Sequence, residues 1–315
     1  MTILGTSTID VFPLALGGNV FGYTSDEATS HAVLDAYVAG GGNFIDTADL
    51  YSAWAPGNSG GESETIIGAW TASRRNRADV VIETKVSQHP AFRGLAASNV
   101  RAAADASLRR LRTDWIDVYY AHYDDPTVPL EETVEAFDAL RTAGKIREVG
   151  VSNYTPERLR EWIDIATRRG FALPVALQPH YNLVERAWYE TGLAPVAAAH
   201  GLGVVPYFAL ASGFLTGKYR TPADLRGAVR GGMVSRYVNA RGLAVVEVLD
   251  RIATARGVAI PTVALAWLRG RPGVTAPLAS ARTVDQLPAL LASATLELTE
   301  QERADLDQVS ARIDG

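Results

Sequence analysis

Eight short runs rich in β-branched and aromatic residues recur along the chain, each set apart from the next by a longer stretch of helical period. They lie at residues 11–16, 43–46, 80–85, 115–122, 148–152, 175–178, 204–207 and 274–278. Most are nearly continuous apolar runs, the pattern of parallel strands covered on both faces. Between them, Val100, Ala104, Ser107, Leu108 and Leu111 share one helical face, and Val245, Val248, Leu249 and Ile252 share another. Thr24 with Glu27, and Thr299 with Glu302, have capping-box spacing; Pro156 and Pro261 sit where a first helical residue belongs. Gly40, Gly144, Gly170, Gly201 and Gly257 follow helical stretches, where a left-handed closing residue is wanted. Strand–helix alternation implies a parallel sheet, and eight strands favour closure into a (β/α)8 TIM barrel over an open doubly wound sheet. No compositional shift or low-complexity tract divides the 315 residues, so one domain over 1–315 is expected.

Composition removes several function classes. The chain has no cysteine, so it has no disulfide, no thiolate nucleophile and no thiolate ligand. Its five histidines are scattered without ligand spacing, and no metal site is expected. The net charge of −5 comes without long like-charge blocks, which argues against a nucleic-acid surface. The amino terminus lacks the basic and apolar stretches of a signal peptide, and no apolar run of about 18 residues could span a membrane. A soluble, cytoplasmic protein with no membrane contact is the expectation. Nothing in the sequence specifies an oligomeric state.

In a barrel of this kind, functional groups belong at the carboxyl ends of the strands. Polar residues end these runs: Asp46, Lys85, His122, Ser152 with Asn153, and Gln178. Singly, each has an ordinary explanation as a cap, a solvated lysine or a structural histidine. Solvated lysines and caps have no reason to gather on one rim, however, and together these residues describe a polar site.

The ordered segments Asp46-Thr47-Ala48-Asp49-Leu50-Tyr51, Glu83-Thr84-Lys85 and Tyr120-Ala121-His122 resemble the catalytic tetrad of the aldo-keto reductases, in the branch of bacterial and channel-β-subunit-like members. Residues 144–154 (GKIREVGVSNY), 178–183 (QPHYNL) and 207–219 (YFALASGFLTGKY) are similar to further blocks of that family in the family's order. The resemblance implies the barrel, preceded by an N-terminal β-hairpin and followed by C-terminal helices. It also implies reduction of aldehyde or ketone carbonyls by hydride from NADPH, with NADH as a possible substitute. Tyr51 is then the proton donor, Lys85 the cation beside it, Asp46 the partner of Lys85, and His122 a hydrogen-bonding or proton-donating neighbour of the carbonyl. Lowering a tyrosine pKa from near 10 towards neutrality takes roughly 4 kcal/mol of preferential stabilisation, which one desolvated cation can supply.

The same resemblance places Gly18, Asn19, Asp46, Ser152, Asn153, Gln178 and Tyr207 around the nicotinamide end of the cofactor. Leu210, Gly213, Leu215, Gly217 and Lys218 would cover its pyrophosphate, and Arg236, Ser280, Arg282 and Gln286 would hold the adenosine end. The stretch Gly213-x-x-x-Gly217-Lys218 is one residue short of a phosphate loop, and Tyr219 stands where Ser or Thr is required, so a nucleotide triphosphatase is disfavoured. No Gly-x-Gly-x-x-Gly fingerprint is present. Ser280, Ala289 and Leu290 depart from the family pattern and bear on the choice between NADPH and NADH, and Phe208-Ala209 replaces its Ser-Pro. Tyr23, Trp54 and Tyr123 are placed at the substrate mouth, where a small neutral carbonyl compound is expected. Asp124-Asp125 nearby either repel anionic substrates or form a solvated acidic loop. Two rival readings share these residues: a nucleotide-binding regulatory subunit with little or no turnover, and a Schiff-base lyase using Lys85.

Overall fold

The structure is a computed structural model that describes residues 1–311, so the last four residues of the expected domain lie outside it. The chain opens with an antiparallel hairpin of β1 (Thr2–Ile3) and β2 (Asp10–Val11). Barrel strands β3 (Ala15–Gly17), β4 (Phe44–Asp46) and β5 (Val81–Val86) follow, and a small hairpin of β6 (Gln88–His89) and β7 (Phe92–Arg93) interrupts them. The barrel continues with β8 (Ile116–Ala121), β9 (Ile146–Ser152), β10 (Pro174–Gln178), β11 (Gly203–Val204) and β12 (Leu278–Ala279). These eight strands form one parallel sheet in the order β12-β3-β4-β5-β8-β9-β10-β11. Its two outer strands meet. Thr275 N–H donates to Val204 O at 2.8 Å, Leu278 N–H donates to Pro206 O at 3.0 Å, and Val204 bridges Val274 in parallel. The sheet is thereby closed as a (β/α)8 barrel.

Helices α1 (Glu27–Ala39), α2 (Glu62–Arg74), α3 (Ala97–Leu111), α4 (Leu130–Thr142), α5 (Pro156–Arg169) and α6 (Ala194–His200) fill the successive crossovers. A short α7 (Gly231–Val234) precedes α8 (Ala240–Arg256) and α9 (Ile260–Arg269); α10 (Leu287–Leu291) and α11 (Glu300–Ser310) come last. The sheet separates two apolar cores. Trp70, Trp162 and Trp267 belong to the outer one, between strands and helices. Leu4, Ile9 and Val11 of the first hairpin join Ala15, Phe44 and Val81 in the inner one, plugging the amino end of the barrel. The opposite rim is left for polar groups.

Three expected strands shift, for one reason. Pro13, Pro206 and Pro277 each interrupt an apolar run, and a proline cannot donate to a strand ladder. The first run therefore divides, with Val11 in the hairpin and Ala15–Gly17 in the barrel; the strand at the seventh run is limited to Gly203–Val204, and that at the eighth to Leu278–Ala279. Two helix starts also differ. Asp26 caps α1, accepting from Thr29 N at 2.8 Å in place of Thr24, and Pro261 is the second residue of α9. Gly40 has φ −80°, and Gly41 takes the positive φ of 91° after α1. Gly144, Gly170, Gly201 and Gly257 are left-handed as expected, and Thr299 with Glu302 forms both halves of its capping box.

Candidate active site

Asp46 ends β4, Lys85 lies one residue from the end of β5, His122 follows β8, and Ser152 and Gln178 end β9 and β10. Parallel pairing puts these ends on one rim. Lys85 is fully buried, and its Nζ donates to Asp46 Oδ1, to Thr47 O at 2.7 Å and to Tyr51 OH at 3.1 Å. An ammonium has three protons, and three oxygens receive them. Tyr51 OH in turn donates to Asp46 Oδ2 at 3.1 Å, and the Tyr51 ring lies 6.3 Å from that of His122. The loop carrying Tyr51 is pinned from several sides. Ser52 Oγ donates to Phe21 O at 2.6 Å, Asn58 Nδ2 donates to Ser52 O at 2.9 Å, and Thr47 Oγ1 reaches Gly18 O through Ser63 Oγ.

One electrostatic expectation is reversed. Burial, followed by the negative charge of Asp46, holds the Tyr51 hydroxyl well above the ordinary tyrosine value of 10.0. The lowering expected from Lys85 is not seen, because Lys85 is paired with Asp46 and the fields of the two charges oppose each other at Tyr51. The site thus holds Tyr51 protonated. Burial first, and the Lys85 charge second, keep His122 well below 6.5, so its imidazole is neutral near pH 7. Its Nδ1 is buried without a hydrogen-bond partner.

Ser152, Asn153, Gln178 and Tyr207 form one network. Ser152 Oγ donates to Gln178 O at 2.8 Å, and Asn153 Nδ2 donates to His122 O at 2.9 Å and to Ser152 Oγ at 3.0 Å. Asn153 adopts a positive φ of 56°, which asparagine tolerates better than most residues. Tyr207 OH donates to Asn153 Oδ1 at 2.8 Å, while its ring stacks on His180 at 5.3 Å. Gln178 Nε2 divides its two protons between Asp46 Oδ1 at 2.9 Å and Glu83 Oε1 at 3.0 Å.

Beside this buried end runs a cleft of about 540 Å³, reached by Asn19, Leu210, Gly213, Lys218, Ser280, Arg282 and Gln286 from the expected set. Ser280 Oγ donates to Asn19 Oδ1 at 2.7 Å, and Gln286 Oε1 accepts from Arg282 N at 2.9 Å. Ala289 and Leu290 also line the cleft and bring no polar side chain to it. Arg236 is a correction: it pairs with Glu185 at 3.0 Å and lines a separate cleft near the start of α8. Leu215 is fully buried, and neither it nor Gly217, in a turn with φ 79°, lines the cleft. Arg230 takes the place foreseen for Arg236. It lines the cleft, and its surroundings include Arg282, Tyr23, Tyr219 and Tyr51. No periodicity marks residues 220–239, so nothing in the sequence singled it out. Among the described residues, neither Lys218, Arg230 nor Arg282 has a carboxylate within 4.0 Å.

Tyr23, Trp54 and Tyr123 lie close to Tyr51 and His122. Tyr23 and Trp54 meet edge-on at 6.0 Å, Trp54 lies 6.0 Å from Tyr51, and Tyr123 lies 5.0 Å from His122. Of the acidic pair, Asp124 is matched by a cation and Asp125 is held by neutral donors. Arg158 holds Asp124 with two bonds of 2.7 and 2.9 Å, and Asp125 accepts from Leu95 N and Thr127 N.

The Aldo/keto reductase family model matches residues 13–311, and the chain belongs to that family. It is 34% identical to Protein tas of Escherichia coli (strain K12) over 96% of this chain and 95% of that protein. It is 33% identical to the uncharacterized oxidoreductase YrpG of Bacillus subtilis (strain 168), over 95% and 92% of the two chains. It is also 33% identical to a probable voltage-gated potassium channel subunit beta of Oryza sativa subsp. japonica, over 90% and 88%. No helix among the described residues is long and apolar enough to cross a membrane.

Proposed function

We propose that this protein reduces aldehyde or ketone carbonyls to alcohols with NADPH, using Tyr51 as proton donor. The observation that carries the reading is the buried Lys85, donating at once to Asp46 and to Tyr51 OH beside a neutral His122. The nicotinamide, when bound, supplies hydride to the carbonyl carbon. Negative charge then develops on the carbonyl oxygen, and the protein's task is to meet that charge with a proton. A Tyr51 held protonated is ready to give one, and Lys85 at 3.1 Å stabilises the tyrosinate left behind. Neutral His122 orients the carbonyl by a hydrogen bond, because burial keeps it from carrying a proton near pH 7.

The cleft suits a nucleotide bearing several phosphate charges. Lys218, Arg230 and Arg282 lack carboxylate partners among the described residues, and such cations are costly to gather unless an anion joins them. Asn19, Gly213, Ser280 and Gln286 supply neutral polar contacts alongside. An extra 2′-phosphate adds to the attraction, which favours NADPH over NADH. On this reading Ser152, Asn153 and Gln178 face the nicotinamide carboxamide, while Tyr23, Trp54 and Tyr123 select a small neutral carbonyl substrate. Arg158 removes the anion repulsion that Asp124 would exert.

Similarity to the rice channel subunit favours a second reading, a nucleotide-binding regulatory protein in the cytoplasm with negligible turnover. The Schiff-base reading loses support, since Lys85 is wholly buried and its ammonium protons are all engaged. The test is a panel of aldehydes and ketones assayed in parallel with NADPH and NADH. Turnover with NADPH preferred supports the reductase; tight NADPH binding with negligible rates across the panel supports the regulatory reading.

A further inference from the structure

Glu83 lies beside the tetrad, and the proposed chemistry gives it no part. It pairs in register with Asp46 across β4 and β5, and it is fully buried. Lys85, two residues on in the same strand, points to the same face. Among the described residues Glu83 nevertheless has no cation within 4.0 Å, because Asp46, Thr47 O and Tyr51 take the Lys85 protons. Its carboxyl accepts from Gln178 Nε2 at 3.0 Å and from Tyr120 OH at 2.9 Å, and the same Gln178 nitrogen reaches Asp46 Oδ1 at 2.9 Å. The barrel makes room for this arrangement. A Cβ on Gly150 would lie 2.5 Å from the Tyr120 ring, so glycine at that point of β9 lets Tyr120 reach Glu83.

Two buried carboxyl groups bridged by one amide nitrogen, with one ammonium beside them, leave one negative charge too many for a buried site. The imbalance is relieved by a proton held between the acids, as in other sites where two carboxyls meet. Asp46 already accepts from Lys85, Tyr51 and Gln178, whereas Glu83 receives only neutral donors. The proton therefore belongs on Glu83. Burial first, then the charge of Asp46, hold it there well above the usual carboxyl range.

We propose, resting on the reductase reading, that Glu83 is a positioning residue: a neutral acid donating to Asp46, whose loss of that proton at higher pH adds negative charge behind Tyr51 and keeps Tyr51 protonated. The groups facing Glu83 are Asp46 from β4, Lys85 from its own strand, Tyr120 from β8 and Gln178 from β10; Tyr51 and Tyr37 of α1 also feel its charge. Ionisation of Glu83 thus opposes ionisation of Tyr51.

The test uses the full-length protein and the variants Glu83→Gln and Tyr120→Phe. In infrared spectra of the cofactor-free proteins at neutral pH, the wild type should show a protonated-carboxyl C=O band that Glu83→Gln lacks. Tyr120→Phe should keep that band at higher frequency, because one hydrogen bond to the acid is gone. A wild-type spectrum with no band assignable to Glu83 would overturn the proposal. In the pH profile of kcat for carbonyl reduction, Glu83→Gln should lose activity on the alkaline side about one pH unit earlier than wild type, the scale of one nearby charge in a partly screened interior. Superimposable profiles would also overturn it. If no carbonyl compound is turned over, the reductase reading fails, and the infrared result still decides the state of Glu83.

Discussion

The two ends of the site are built in opposite ways. At the rim, Asp46 and Lys85 are paired, fully buried and satisfied within the protein, and Tyr51 is held against both. Along the cleft, Lys218, Arg230 and Arg282 stand without carboxylate partners among the described residues, and Ala289 and Leu290 present no polar side chain. The rim is complete before anything binds. The cleft holds excess positive charge that a ligand must balance. Chemistry is therefore assigned to preorganisation, and cofactor choice to a few cations.

The largest way to break this contrast is Lys85→Met. It leaves Asp46 buried without its cation, and losing one partner of a buried pair costs about 3–5 kcal/mol. Denaturant unfolding should show a loss of that order, with turnover abolished; full stability would mean that the pair is not the keystone of the rim. Arg282→Ala and Arg230→Ala should each weaken NADPH about tenfold or more, since a hydrogen bond to a charged group is worth about 1.5–3 kcal/mol. NADH should be less affected by Arg282→Ala, and kcat should change little in either variant. Titration calorimetry with both nucleotides checks this, and equal losses for the two would remove the 2′-phosphate from the account.

A third test concerns pH. His122, His89 and His180 are all held below 6.5, chiefly by burial. Below that value the unfolded chain takes up protons that the folded protein refuses, so stability should fall as pH drops below about 6.5. Unfolding free energies across that range should decline, and His122→Asn should decline less steeply. The smallest effect belongs to Arg236→Ala. Its ion pair with Glu185 is more than half exposed on the arginine side, so NADPH affinity should be unchanged and stability should move by at most about 1 kcal/mol.

The barrel was legible because apolar runs and helical periods are local signals, and it blurred where Pro13, Pro206 and Pro277 cut ladders that composition alone favours. The rim was legible because its residues end strands. Glu83 could also have been read there: two residues from Lys85 in a strand, it must share that face. Its neighbours Tyr120 and Gly150 come from other strands, and only the closed sheet shows them together. Arg230 left no trace, because the loop that carries it has no period and reaches the cleft only through tertiary packing. The rise of the Tyr51 pKa was likewise hidden, since it depends first on how deeply the folded barrel buries the hydroxyl and then on the nearby Asp46 charge.

The central claim is that Tyr51 gives the proton in carbonyl reduction. Its most direct test is a single-turnover measurement with NADPH bound and a reactive aldehyde added, comparing wild type with Tyr51→Phe. The account expects Tyr51→Phe to bind NADPH as tightly as wild type and to oxidise it about 10²–10⁴-fold more slowly, the usual worth of a positioned general acid. Oxidation of NADPH at the wild-type rate in Tyr51→Phe would contradict it.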